Sequence, residues 1–502
     1  QPYEAGPTGT PAGEHLMASA RASKANSAPG RDGWRPLELK LLPIEAWHMR
    51  ARILALSAKL GRFPEAYKHV VLTAIPKKGD SSDPLKQRLL TIYPAIYRIE
   101  ARAWYKHIAN WLALVLHPDL HGAVAGHEAV EASWDAQGDI EAAILNNERL
   151  VFSTYDYDKY FDSFDHQLTE RLLRFGGVPD QLVTAWIDLI SNVKKAVKVG
   201  HHVGDEVTHY NGLGQGDPIS LIPALLLTSM QFQHIDKRVP GVKKGAVVDD
   251  RNFRGSLQEI LETHRVVAKF DQAAGHFMQP DKTTFAAVNA YDRKRLAAED
   301  SLSTNGIKPK VVGHLVLVGD LISTQNRLRR VEPDARVAAA VSVVNRILSL
   351  GLCGEAAEYA VASAAVPKLL YGTQWAMPSY AALAGFRTRV LTAIWGRQSR
   401  MRCAEIVLAG LHEPTRIDPL FAAAYRGVML TRRIAMKSDA RYEQFISSVV
   451  AAAAPDKLRR IQGPAHGFLR SCAALGITVL VENDEVFLTM PTGTRISLTT
   501  PL

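Results

Sequence analysis

The apolar positions of the chain fall into two rhythms. From Pro36 to Leu60 they recur at helical spacing, whereas Val70–Ile75 is a short β-branched and apolar run closed by Pro76, the pattern of a strand. The spacing predicts a long helix at Tyr93–Leu116, a strand at Val151–Tyr155, and helices at His166–Phe175, which Gly176-Gly177 ends, and Gln181–Val193. Val197–Val207 reads as a hairpin around His201–Gly204, Pro223–Ile235 as a helix, Gly245–Val248 as a small buried strand, and Leu257–Ala274 as a helix stopped by Gly275. Strands and helices mix without regular βαβ alternation, which predicts an α+β architecture. Beyond Glu332 the pattern is almost wholly helical and Ala-rich, with a last β-like stretch at Ile477–Leu498. Residues 1–26, small and polar with Pro and Gly, read as a flexible lead-in.

At 502 residues the chain is long enough for roughly two to four domains. Its longest apolar stretches, such as Ile219–Leu227 and Val449–Ala454, fall short of the ~20 residues a bilayer-spanning helix needs, so a soluble protein is expected. Cys353, Cys403 and Cys472 offer neither a disulfide framework nor paired zinc spacing, which points to a reducing, intracellular setting. The chain opens on Gln1 with no charged and apolar leader, so a targeting signal is expected to be absent or trimmed, and the sequence to be a piece of a longer protein. Of 60 Lys+Arg and 50 Asp+Glu, 22 and 13 lie between Leu321 and Leu502, leaving 38 against 37 before them. Nearly all the excess positive charge is therefore C-terminal. Such a surface draws polyanions through counterion release and makes RNA or DNA the first partner to consider, beside a solvated basic face with no partner.

The chemistry resides in acids. Val151–Tyr155 runs into Asp156-Tyr157-Asp158-Lys159-Tyr160-Phe161-Asp162, and a second pair, Asp249-Asp250, ends the apolar segment from Gly245. Acids at two strand ends, far apart in sequence, can meet and hold divalent metals through oxygen donors. Two such ions about 3.5–4 Å apart stabilise both the attacking and the leaving oxygen of phosphoryl transfer. Taken singly, each pair also has a structural reading: Asp165 as a helix cap, Asp249-Asp250 as a turn. Between the pairs lies Gly212-Leu213-Gly214-Gln215-Gly216-Asp217-Pro218-Ile219-Ser220, whose glycines let a backbone pass close to a ligand. No Lys-Ser/Thr closes it, so it is not a GxxxxGK phosphate loop.

In this order the residues resemble motifs A, B and C of reverse transcriptases: Asp156-x4-Phe161-Asp162, then Gly212-x-x-Gln215-Gly216-Asp217-x-x-Ser220, then Asp249-Asp250 after a hydrophobic pair. Upstream, Ala28-Pro29-Gly30-Arg31-Asp32-Gly33 and Ile75-Pro76-Lys77-Lys78 with Arg88 are similar to the fingers segments of non-LTR retrotransposon and group II intron enzymes. Downstream, Gly275–Thr283 resembles motif D, Leu317-Val318-Gly319 the primer grip, and Leu369-Leu370-Tyr371-Gly372 with Trp375 the helical region after the palm in non-LTR elements. The resemblance implies a right-hand polymerase, with fingers and palm over 27–325, a basic helical thumb over 326–440, and a C-terminal tail of unassigned role over 441–502. It implies two Mg²⁺ or Mn²⁺ ions on Asp156, Asp249 and Asp250, and Lys282 as a general acid facing the leaving pyrophosphate. Lys77, Lys78 and Arg88 would contact the triphosphate, Phe161 would exclude a 2′-hydroxyl, and Gln215 and Gly216 would touch template and nucleotide. Leu317, Gly319, Arg329 and Arg330, with other thumb arginines such as Arg432, would meet the template–primer duplex. The partners implied are an RNA template, a DNA or RNA primer and dNTPs, with no membrane, and the lineage implies a nuclear location.

The chain departs from that family where Val247-Val248 precedes the acids in place of an aromatic residue, where Gly214 replaces the usual Pro, where Gln279-Pro280 replaces Asn, and where Arg251 and Arg254 follow the acids. The rival readings are a group II intron maturase, an RNA-dependent RNA polymerase, and a non-catalytic RNA-binding scaffold with a polymerase fold.

Overall fold

The structure, a computed structural model, describes residues 3, 5–76, 87–200, 202–303, 307–325, 330–396, 403–437, 439–453 and 461–500. Its strands are β1 (His69–Pro76), β2 (Gln87–Ile92), β3 (Val151–Tyr155), β4 (Lys194–Val199), β5 (His202–Thr208), β6 (Lys243–Val247), β7 (Asp250–Gly255), β8 (Thr284–Ala287), β9 (Lys310–Val312), β10 (His314–Leu317), β11 (Asp320–Ser323), β12 (Thr478–Glu482), β13 (Glu485–Thr489) and β14 (Arg495–Ser497). Among the described residues they form sheets ordered β2-β1-β4-β5, β6-β7-β3-β8-β9, β10-β11 and β12-β13-β14, with helices between, a mixed α and β fold. Two compact units divide the chain: Gln1–Glu128, Tyr155–Arg251 and Leu261–Thr283 make the first, and Ala129–Thr154, Asn252–Ile260 and Thr284–Leu502 the second.

In the first unit β1 pairs antiparallel with β2, placing Ile75 opposite Arg88, and parallel with β4, placing His69 opposite Lys194. The helix Ala95–Val115 occupies most of the stretch that the apolar spacing marks. Its Glu100 is buried, accepting from Tyr67 Oη at 2.8 Å and from Arg50 Nε at 3.1 Å, the latter on the helix Ile44–Leu60. The Ala28–Gly33 segment docks on the same helix: Asp32 accepts from Ala95 N at 3.0 Å, capping it from a distance in sequence, and Arg98 donates to Ala28 O at 2.6 Å. The lead-in is not wholly without structure, because Gly13–Arg21 is a helix with Leu16 and Ala20 fully buried and Ser19 Oγ donating to Ile99 O. Two apolar residues one turn apart hold it down, too short a pattern to stand out among polar neighbours.

In the second unit β3 pairs antiparallel with β8, and β8 parallel with β9. One core gathers Trp134 and Ile140 of the helix Ala129–Leu145, Phe152 of β3, Trp375, and Phe445 and Phe468 from the C-terminal helices Asp439–Ala452 and Pro464–Ala474. Residues 441–502, read from the sequence as a tail, thus supply much of that core. Polar ties reinforce them: Glu141 accepts from Ala465 N, His466 N and His466 Nδ1 at 2.6–2.9 Å, and Arg441 reaches Asp135 at 2.6 Å. A second core is built by the helices Val331–Ser349, Tyr380–Trp395 and Pro419–Ala435 around Val337, Phe386 and Ala423, as the Ala-rich helical pattern beyond Glu332 predicts. No helix among the described residues is long and apolar enough to cross a membrane.

Candidate active site

Asp156 follows the end of β3, and its backbone is held by pairing with the loop after Gly275. Its carbonyl accepts from Gln279 N at 2.9 Å, Asp158 N donates to Phe277 O at 3.0 Å, and Tyr157 bridges Met278 antiparallel. That lacing brings the loop after Gly275 alongside, and Lys282 Nζ lies 2.9 Å from Asp156 Oδ2. Asp249 sits in the two-residue turn between β6 and β7, and Asp250 opens β7. Val248 adopts φ +60° in that turn, a left-handed conformation costly for a β-branched residue and common where a site stores strain. Gly122 makes room for it: a Cβ there would come within 2.9 Å of Val247 Cγ1 and Val248 N.

The three acids feel one another. Burial raises the Asp249 carboxyl above its ordinary range and the charge on Asp156 raises it further, while Arg251 and Arg88 pull it down. Asp250 is pushed up to about 6, first by burial, then by the charges on Asp249 and Asp156, against the pull of Lys282. Like charges gathered against their own repulsion, with oxygen donors alone, fit a hard divalent cation.

The glycine loop packs against the segment that follows Asp156 in the chain. Asp156 is followed by the turn Tyr160–Ser163, and Leu213 N and Gly212 N donate to Phe161 O and Phe164 O, each at 2.7 Å. Gly212 (φ +85°) lies where a Cβ would strike the Asp162 backbone. At Gly214 a Cβ would come within 2.6 Å of Tyr93 Oη, which accounts for the bare backbone there. Gln215 O accepts from Thr91 N at 2.8 Å, fastening the loop to β2. The anchor is Asp217, buried and accepting from Tyr97 Oη and Trp186 Nε1 at 2.8 Å and from Ile219 N at 3.1 Å. Phe161 is half-buried, and the Gln215 side chain bonds Asp162. Asp165 does cap the following helix, accepting from Leu168 N at 2.7 Å, so the structural reading of that residue holds beside the functional reading of its neighbours.

The first unit therefore brings together Asp156, Asp249, Asp250 and Lys282, with Arg88 exposed on β2 and acting on Asp249 through its charge. Lys77, Lys78 and Arg329 lie outside the described residues. In the second unit Leu317 ends β10 and Gly319 lies in the two-residue turn to β11, where Val318 and Gly319 have φ +49° and +88°. Leu317 points into the core at 3% exposure. Tyr371 Oη donates to Val318 O and Arg336 to Gly319 O, so the Leu370-Tyr371-Gly372 segment clasps the turn. Arg330 is exposed beside the helix Val331–Ser349, whereas Arg432 Nε donates to Leu498 O at 2.8 Å, a tie within the unit.

Below the same turn burial pushes the Asp320 carboxyl up to about 6, against the pull of Ser133, Arg336, Gln374 and Arg426. A folded-state value above the ordinary ~3.9 means that the folded chain takes this proton first, so its stabilising contribution is full below that ordinary value and is lost as pH rises through about 6. Asp320→Asn should flatten that slope: by Tm at pH 5 and pH 8, the variant loses less on going to pH 8, a difference of up to about 2 kcal/mol.

Sequence reasoning quoted Asp217 within motif B without giving it a role, and treated Arg251 only as a departure. An arginine directly after the acids, inside β7, was the visible signal, since a charge at a buried strand position demands partners.

No family model matches the chain. Over 211 residues, 41% of its length, the chain is 26% identical to the transposon TX1 uncharacterized 149 kDa protein of Xenopus laevis, and the match spans 16% of that protein. Among solved structures the chain is similar to apo telomerase from Candida tropicalis truncated from the C-terminal domain, at 13% identity over 51% of this chain and 54% of that one, with a TM-score of 0.35.

Proposed function

We propose that the chain is an RNA-directed DNA polymerase of a retroelement, extending a DNA or RNA primer with dNTPs on an RNA template. The observation that carries the reading is the gathering of Asp156, Asp249 and Asp250, from two strand ends, within reach of one another's charge. The ordered motifs from Ala28 to Trp375 and the similarity to a transposon protein support it.

Asp156, Asp249 and Asp250 would hold two Mg²⁺ or Mn²⁺ ions, which when bound supply charge stabilisation at the attacking and leaving oxygens. Lys282, beside Asp156, carries a proton for the pyrophosphate leaving group. Arg88, with Lys77 and Lys78, offers positive charge to the triphosphate. Gln215 and Gly216 are the contact with template and nucleotide, and Phe161 is the bar to a 2′-hydroxyl. The duplex contact would fall to the backbone of the Leu317–Gly319 turn, since the Leu317 side chain is buried, and to Arg329 and Arg330.

The test is primer extension by the purified chain on an RNA template with Mg²⁺ or Mn²⁺, comparing dNTPs with rNTPs. DNA products are expected; RNA products would make it an RNA polymerase, and tight RNA binding with no product would leave a scaffold. Phe161→Ala should raise incorporation of rNTPs relative to dNTPs by roughly 10- to 100-fold, read from single-nucleotide kinetics.

A further inference from the structure

Arg251, the residue after Asp250, is fully buried. Its Nη1 donates to Tyr157 Oη and Gln231 Oε1 at 2.7 Å and to Asp271 Oδ1 at 3.1 Å, and its Nη2 to Tyr160 Oη at 2.9 Å. The guanidinium also lies over the Tyr157 ring, 4.4 Å from its centroid, and beside that of Tyr160 at 5.4 Å. Asp271 in turn accepts from Tyr157 Oη and Gln231 Nε2, each at 2.8 Å, and its carbonyl receives His276 N.

Two of these partners adjoin site residues in the chain, and a third lies on the helix that leads to one. Tyr157 follows Asp156, Tyr160 precedes Phe161, and Asp271 lies in the last turn of the helix Leu257–Ala274, whose following loop carries Lys282. A buried guanidinium is costly unless its donors are matched, so such a fan of acceptors fixes four chain segments relative to one another.

We propose that Arg251 is a positioning residue: its bonds to Tyr157, Tyr160 and Asp271 hold the Asp249-Asp250 turn in register with Asp156, so that the three carboxylates form one cation site. The inference rests on the proposed cation-dependent polymerase, and concerns residues that touch neither substrate nor cation. Lysine keeps the charge but is a point donor, unable to span the four acceptors.

The test uses the full chain with Mn²⁺ alone, its binding followed by electron paramagnetic resonance of the free ion, without primer or nucleotide. Arg251→Lys, folded by circular dichroism, should bind Mn²⁺ about 10- to 100-fold more weakly and lose primer extension by a similar factor. Should Arg251→Lys not fold, the Tyr157→Phe/Tyr160→Phe double variant, which keeps both rings and removes two hydroxyl acceptors, should show about a tenfold loss of Mn²⁺ affinity. Folded Arg251→Lys, or in its place the double variant, binding Mn²⁺ within twofold of the parent would overturn the proposal, as would a parent that binds no Mn²⁺. A parent that binds Mn²⁺ but extends no primer defeats the polymerase reading alone, and the Mn²⁺ comparison then still decides the role of Arg251.

Discussion

Asp249→Asn should lower primer extension by at least about a thousandfold, roughly 4 kcal/mol of barrier, with the fold intact. The amide keeps the shape of the turn but removes one of three negative charges that draw cations together, and the reaction depends on charge neutralisation more than on covalent chemistry. Because burial and the Asp156 charge already disfavour the ionised Asp249, the variant should be at least as stable as the parent when no divalent ion is present. Extension rates and Tm measured on one preparation check both halves: retained extension would refute the assigned role, and a collapsed Tm would make the loss a folding effect. Asp156→Asn should behave alike in rate, with the added loss of its ion pair to Lys282.

The largest stability effect is expected from Glu100→Ala. That carboxylate is 1% exposed and is the acceptor for both Arg50 and Tyr67. Truncation removes the carboxylate from the Arg50 guanidinium, leaving it only the Tyr67 hydroxyl, and opens a cavity beside the phenol, at a cost of about 3–5 kcal/mol, or roughly 10 °C in Tm. Glu100→Gln preserves shape and an acceptor oxygen and should cost clearly less. Equal Tm for Glu100→Ala and the parent in a thermal melt would show that the buried pair contributes no net stability.

What the chain's linear order determined was the existence and type of its strongly periodic elements, and the carriers of chemistry. The helix Ala95–Val115 follows from apolar spacing, because burial of one face imposes a period that is local in sequence, whereas β3 follows from a short run buried nearly throughout and the hairpin β4–β5, whose second strand is exposed along its length, from the turn pattern within Val197–Val207. The acids were legible because each group follows a short apolar strand run, where a carboxylate marks the end of the run.

Tertiary structure alone decided the rest. Nothing local announces that the helix Gly13–Arg21 is pinned by two side chains, or that Phe445 and Phe468 share a core with Trp134 and Phe152 some three hundred residues earlier. Nor does spacing reveal that Gly214 is bare because Tyr93 occupies its Cβ position, or that Arg251 is buried among two tyrosines and Asp271. Such facts depend on contacts between segments distant in sequence, whose matching of donors, volumes and charges has no period along the chain.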